Sequence, residues 1–175
     1  MMSRVLQRHP TGVDAAINNL VNIYMQASYI YLDIGFYFKR DDVGLTELGY
    51  FFHKLSEEKL EGVYQLLKIQ NLRRGCTSFQ DVKRPFQDDW DNTLKIMEAA
   101  LVVERNLNQA ILDLHDLGTD LRDRPLCKFL KTFMGEEVKL LEKMGLYLTN
   151  LRRLAVPTTG LGEYLVGSFP PKKGK

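Results

Sequence analysis

Apolar side chains recur along this chain at alternating steps of four and three, the period of a helix that hides one face. The first such stretch runs from about Val13 to Arg40 and puts Ile17, Val21, Tyr24, Ser28, Tyr31, Gly35 and Phe38 on one face. Thr11 suits an N-cap, Asp14 complements the helix dipole, and Asp41-Asp42-Val43-Gly44 ends the segment in turn chemistry. A second helix is predicted from about Thr46 to Arg73, with Leu48, Phe52, Leu55, Lys59, Gly62, Leu66 and Ile69 in its stripe. The third, from about Asn92 to Thr119, carries an unbroken apolar stripe of Ile96, Ala100, Val103, Leu107, Ala110, Leu114 and Leu117. In the fourth, from about Arg124 to Leu154, Leu130, Phe133, Glu137, Leu141, Met144, Leu148 and Leu151 share a side.

The breakers fall between these stretches. From Arg74 to Asp91, glycine, proline and a run of aspartates destroy any period, which predicts a long crossing loop rather than a tight hairpin. Such a loop spans the length of a bundle, so the third helix points the same way as the second. Beyond Pro157 the apolar piece from Gly160 to Val166 leaves room for about two turns of helix before Gly167, Pro170 and Pro171. There are no alternating strand runs and no repeat. The chain therefore reads as one all-α domain over residues 1–175, an antiparallel four-helix bundle at about 13–155 with one long crossover loop. A short C-terminal fifth helix at about 160–166 and a basic tail at 170–175 complete it.

Charge narrows the choice of partners. Lys and Arg number 24 against 22 Asp and Glu, and Lys172, Lys173 and Lys175 supply three of the cations, so the +2 total leaves the body at 2 − 3 = −1. This balance argues against a surface that coats nucleic acid. The two cysteines, Cys76 and Cys127, form no C-x-x-C pair and read as reduced thiols. No apolar run approaches the ~20 residues that span a bilayer, and Met1 to Gly12 lacks a signal-peptide core, so a soluble cytoplasmic protein is expected.

The odd members of the core stripes carry the candidate chemistry. Bundles of this kind can hold two irons with Glu from two helices and a Glu-x-x-His from each of the others. Only His9, His53 and His115 exist here, and none lies three residues after a Glu, so the di-iron oxidase pattern fails on ligand count. Facing inward are Tyr24, Tyr31, Lys59, Gly62 and Glu137, with Glu104 on the flank of the third helix. A lone buried ammonium is costly, so Lys59 should pair with Glu104 or Glu137. Two roles are open to it: a catalytic lysine of lowered pKa, or an internal salt bridge that fills space, which is the preferred reading.

Longer blocks carry a resemblance. ASYIYL at 27–32, FYFKRDDV at 36–43, LSEEKLEG at 55–62, LLKIQN at 66–71, LNQAILDLH at 107–115, EEVKLLEKMG at 136–145, LTNLRRL at 148–154 and GLGEYL at 160–165 follow in order. In these the chain resembles ferritin, and among vertebrate ferritins the light chain more than the heavy chain. The resemblance implies a subunit of a hollow shell of 24 chains, as a homo-oligomer or with heavy-type subunits, that stores iron as a ferric mineral. Carried over by position, the heavy-chain iron ligands fall on Tyr24, Glu58, Lys59, Gly62, Glu104 and Glu137, with a nearby tyrosine at Tyr31. The ferroxidase centre is thus degenerate and no enzyme activity is expected. The resemblance also implies a Lys59–Glu104 pair.

Light chains start the mineral on a carboxylate patch of the second helix, which the resemblance places at Glu57, Glu58 and Glu61. Lys54 and Tyr64 stand where the patch should continue and are expected to weaken nucleation. The carboxylates of the family's three-fold pores correspond to Lys128 and Lys131, which should repel a divalent cation in a narrow channel. Around Thr132 to Gly135 the chain is one residue short of the family pattern, which is expected to bend the fourth helix. These departures motivate an alternative, a divergent ferritin-like structural or interaction protein that no longer stores iron by itself or that modulates the shells of other subunits.

Overall fold

The computed structural model describes residues 12–75, 77–81 and 92–155, and the predicted N-cap at Thr11, the fifth helix at 160–166 and the basic tail lie outside them. The described chain forms α1 (Gly12–Phe38), α2 (Thr46–Leu72), α3 (Thr93–Asp120) and α4 (Arg124–Ala155), close to the spans expected from periodicity.

The connections follow from local chemistry. After α1 the amides of Val43 and Gly44 return to the Arg40 carbonyl, and Gly44 takes φ 70°, a left-handed conformation that costs glycine nothing. At the end of α2, Arg74 is left-handed and Gly75 N–H closes onto Gln70 O at 2.9 Å. The described part of the long connection then runs beside α1, where Ser78 N–H donates to Asn18 Oδ1 and Gln80 N–H to Asn22 Oδ1. Asn92, extended, caps α3 by accepting from Lys95 N–H at 3.2 Å. The α3–α4 corner is tight: Asp123 N–H bonds Gly118 O, and the Asp123 carboxylate caps α4 at Leu126 N–H.

Two apolar clusters, one above the other, fill the bundle. One joins Ile30 to Phe38 of α1 with Leu48 to Leu55 of α2, Ile96 to Leu101 of α3 and Met144 to Leu151 of α4. The second joins Val13 to Tyr24 with Val63 and Leu66, Leu107 to Leu114 and Leu126 to Phe133. The order of residues through the clusters sets the topology. On passing from the first cluster to the second, α2 and α3 both ascend in residue number while α1 and α4 descend. Thus α2 and α3 are parallel, as the crossing loop required, and their other neighbours are antiparallel.

One expectation needs correction. The buried line of α3 is Ile96, Ala100, Glu104, Leu107, Ile111 and Leu114, so Glu104 is a core residue with no exposure and not a flank residue. Val103, Ala110 and Leu117 are only partly buried, because the packed face is turned by about one residue from the stripe read in the sequence. The segment at 132–135 lies within α4, which is assigned as one helix from Arg124 to Ala155.

Candidate functional site

Between the two apolar clusters lies a layer of charge. Lys59 of α2 donates from Nζ to Glu104 Oε1 of α3 at 2.9 Å and to Glu137 Oε1 of α4 at 2.6 Å, with all three side chains no more than 5% exposed. Tyr31 of α1 donates to the other Glu104 oxygen at 2.5 Å and reaches Ala100 O at 3.3 Å. All four helices are therefore tied at one level. Each element contributes one group because the four-and-three spacing turns one residue per turn toward the axis.

Two carboxylates face one ammonium, and the charges must balance in a dry interior. Burial opposes the Lys59 charge, but Glu104 and Glu137 more than offset this and hold its pKa above the ordinary lysine range. Burial, joined by the neighbouring Glu104 carboxylate, pushes Glu137 up to about 8 in spite of Lys59. Glu137 Oε2 has no hydrogen-bond partner. One proton held by the carboxyl pair beside the Lys59 ammonium leaves the layer neutral near pH 7. Burial first, and then the nearby carboxylates, also raise the Tyr24 and Tyr31 phenols, which stay protonated.

The layer leaves no room for a metal pair. Lys59 Nζ takes one oxygen from each buried carboxylate. A Cβ added at Gly62 would stand 2.6 Å from Cε2 of Tyr24, so the tyrosine ring already fills the space over that glycine. The same ring packs on Phe133 with centroids 5.6 Å apart, and Lys59 Nζ lies 5.4 Å from the Tyr24 centroid. Among the described residues no three His, Cys, Asp or Glu side chains gather to hold one metal ion. These residues therefore do not fit a ferroxidase pair of irons.

Outside the layer, α2 and α4 border a groove of about 430 Å³. Its walls include Glu58, Glu61, Glu136 and Lys143, with Lys59 and Glu137 reached from it. Residues 14–154 match the ferritin-like domain of ferritin. The chain belongs to the ferritin family. It is 56% identical over 166 residues to the ferritin light chain of Felis catus, covering 94% of this chain and 95% of that one. Identity with ferritin light chain 1 of Rattus norvegicus is 55% over 173 residues, covering 97% of this chain and 94% of that one. With the oocyte isoform of the ferritin light chain of Xenopus laevis it is 46% over 164 residues, 93% of each chain.

Within this ferritin chain the structure brings together Tyr24, Tyr31, Lys59, Gly62, Glu104 and Glu137, and leaves Glu58 exposed on the groove wall. Glu57 and Glu61 are exposed on the same helix, as are Lys54 and Tyr64. Lys128 and Lys131 are exposed near the start of α4. Sequence reasoning missed the Tyr31–Glu104 bond and the groove residues Gln65, Glu136, Lys139 and Lys143. For Glu104 a signal existed: it follows Ala100 by four and precedes Leu107 by three, the same step that marks the apolar stripe. The groove residues had none, since an exposed Glu or Lys looks the same wherever two helices diverge.

Proposed function

We propose that this ferritin chain is a light-chain-type subunit for iron storage. In this reading it builds a cytoplasmic shell of 24 chains, alone or with heavy-type subunits, and does not itself oxidise ferrous iron. Iron is the cargo, deposited as ferric mineral. The observation that carries the reading is the Lys59 ammonium held between Glu104 and Glu137, at the level where heavy chains gather their iron ligands. A fixed cation there repels ferrous iron, and its two carboxylates are engaged by it. The identities of 55–56% with mammalian ferritin light chains over 94% of the chain support the same assignment.

Glu57, Glu58 and Glu61 would supply the mineral-facing carboxylates. They are exposed on one side of α2, and ferric iron is a hard cation that prefers carboxylate oxygen. Their exposure suits a surface that gathers many ions weakly better than a cage for one. No helix among the described residues is long and apolar enough to cross a membrane.

The test is the oxidation of ferrous iron by the purified protein in air at about two irons per chain, the loading a di-iron site would take. Oxidation no faster than the buffer blank is expected. A rapid phase that saturates at that loading would sink the proposal.

A further inference from the structure

At the α3–α4 corner, remote from the charge layer, lies a cavity of about 460 Å³. Arg122, Arg124 and Lys131 line it together with His115, Thr119 and Cys127. Lys128 continues the cationic stripe, because positions 124, 128 and 131 share one face of α4. In the single chain Arg122, Arg124, Lys128 and Lys131 are exposed and none has an ion-pair partner among the described residues. Lys128 and Lys131 are the positions that the resemblance places at the three-fold pore, where a shell would bring three copies of this cluster together. The one carboxylate in the lining, Asp123, is committed elsewhere: it pairs with Arg73 and caps Leu126 N–H.

Helix-end electrostatics do not account for this cluster. Cations favour a helix C-terminus, but the last carbonyls of α3 already accept the amides of Leu121, Arg122 and Asp123. The positively charged N-terminus of α4 lies beside the same cations and would favour an anion instead. Arg122 holds φ 56°, a strained conformation for a side-chain-bearing residue, in the turn that forms one wall. Unpaired like charges around a concave surface repel one another, and an anion seated among them removes that repulsion.

We propose that this corner binds a phosphate group. Two guanidinium forks match the paired oxygens of a phosphate, and Lys131 adds a point charge. The cavity exceeds the size of a phosphate ion and falls within the range of about 300–1,000 Å³ used by small-molecule sites. The bound group is thus either free inorganic phosphate or the phosphate of a small organic ester. The inference goes beyond iron storage, and its test uses no iron.

The experiment is calorimetric titration of the iron-free full chain with inorganic phosphate and, separately, with ADP. Saturable binding is expected, weakened at least about tenfold in Arg122→Gln/Lys131→Gln and unchanged in Lys95→Gln, an exposed lysine of α3. Arg124→Gln serves as a second variant should the double variant fail to fold by circular dichroism. Tighter binding of ADP than of phosphate, with the same loss in the variants, assigns the site to an organic phosphate. Equal or weaker binding of ADP assigns it to the free ion. Absence of saturable binding of either probe up to about 10 mM, or binding that the cavity variants leave unchanged, overturns the proposal.

Discussion

Lys54 and Lys59 stand five residues apart on the same helix, and Glu57, Glu58 and Glu61 interleave with them, yet the two regions obey different rules. Lys59 faces the axis, where Glu104 and Glu137 enclose it and Tyr31 orders Glu104. Lys54 and the three glutamates face outward into solvent. Within the bundle each charge must be matched, because an unpaired one costs several kcal/mol, roughly the stability of a whole domain. At the surface water screens the same groups, so they are free to exchange counterions. One helix turn thus separates charges that hold the fold together from charges available for cargo.

The largest effect is expected from Glu104→Ala. It removes the partner of Lys59 and Tyr31 together and leaves a buried ammonium with only Glu137. A loss of about 3–5 kcal/mol, read from the urea midpoint at unchanged slope, is anticipated. A loss under about 1 kcal/mol would mean the layer behaves like surface charge.

Next comes Gly62→Ala, which forces a methyl against Tyr24. Overpacking of about 1–3 kcal/mol should follow, and combining it with Tyr24→Leu should recover part of it. Strict additivity in that double-mutant cycle would show that the ring and the glycine are not coupled.

A pH scan sharpens the comparison further. The folded state binds the Glu137 proton more tightly than the unfolded chain does, with the pKa moved from 4.5 to about 8. Stability from this group is therefore greatest at acid pH and declines as pH rises from about 4.5 to about 8. Lys59 acts in a different window: its raised pKa contributes stability that is complete below 10.5 and is lost as pH rises through the folded value. In Glu137→Gln the decline between about pH 5 and about pH 8 should flatten, whereas Glu57→Gln should leave it unchanged.

The smallest stability effect belongs to Glu57→Gln/Glu58→Gln/Glu61→Gln, expected within about 0.5 kcal/mol of the parent. Its consequence lies in the cargo instead, as slower growth of ferric mineral absorbance in purified protein. Unaltered mineral growth would remove these carboxylates from the nucleation reading.

Much of this was legible in the chain itself. The alternation of fours and threes located four helices, and the Gly/Pro/Asp-rich stretch after Arg74 foretold a connection long enough to make α2 and α3 parallel. Lys59 and Glu137 betrayed a polar layer because they interrupt otherwise apolar stripes. The absent Glu-x-x-His pairs told against a di-iron site before any coordinates did. Glu104 was harder, since Val103 beside it offered a competing apolar register one residue away.

The division has a physical cause. Periodicity and breakers are local properties, so the sequence alone determined the helices, their connection and which buried positions were chemically odd. Which oxygen of Glu104 meets Lys59 and which meets Tyr31 was decided only when α1, α2 and α3 packed together. The same holds for the Tyr24 ring over Gly62 and for the unpaired cations around the α3–α4 cavity. Side chains far apart in the chain acquire charge partners, or lack them, through packing.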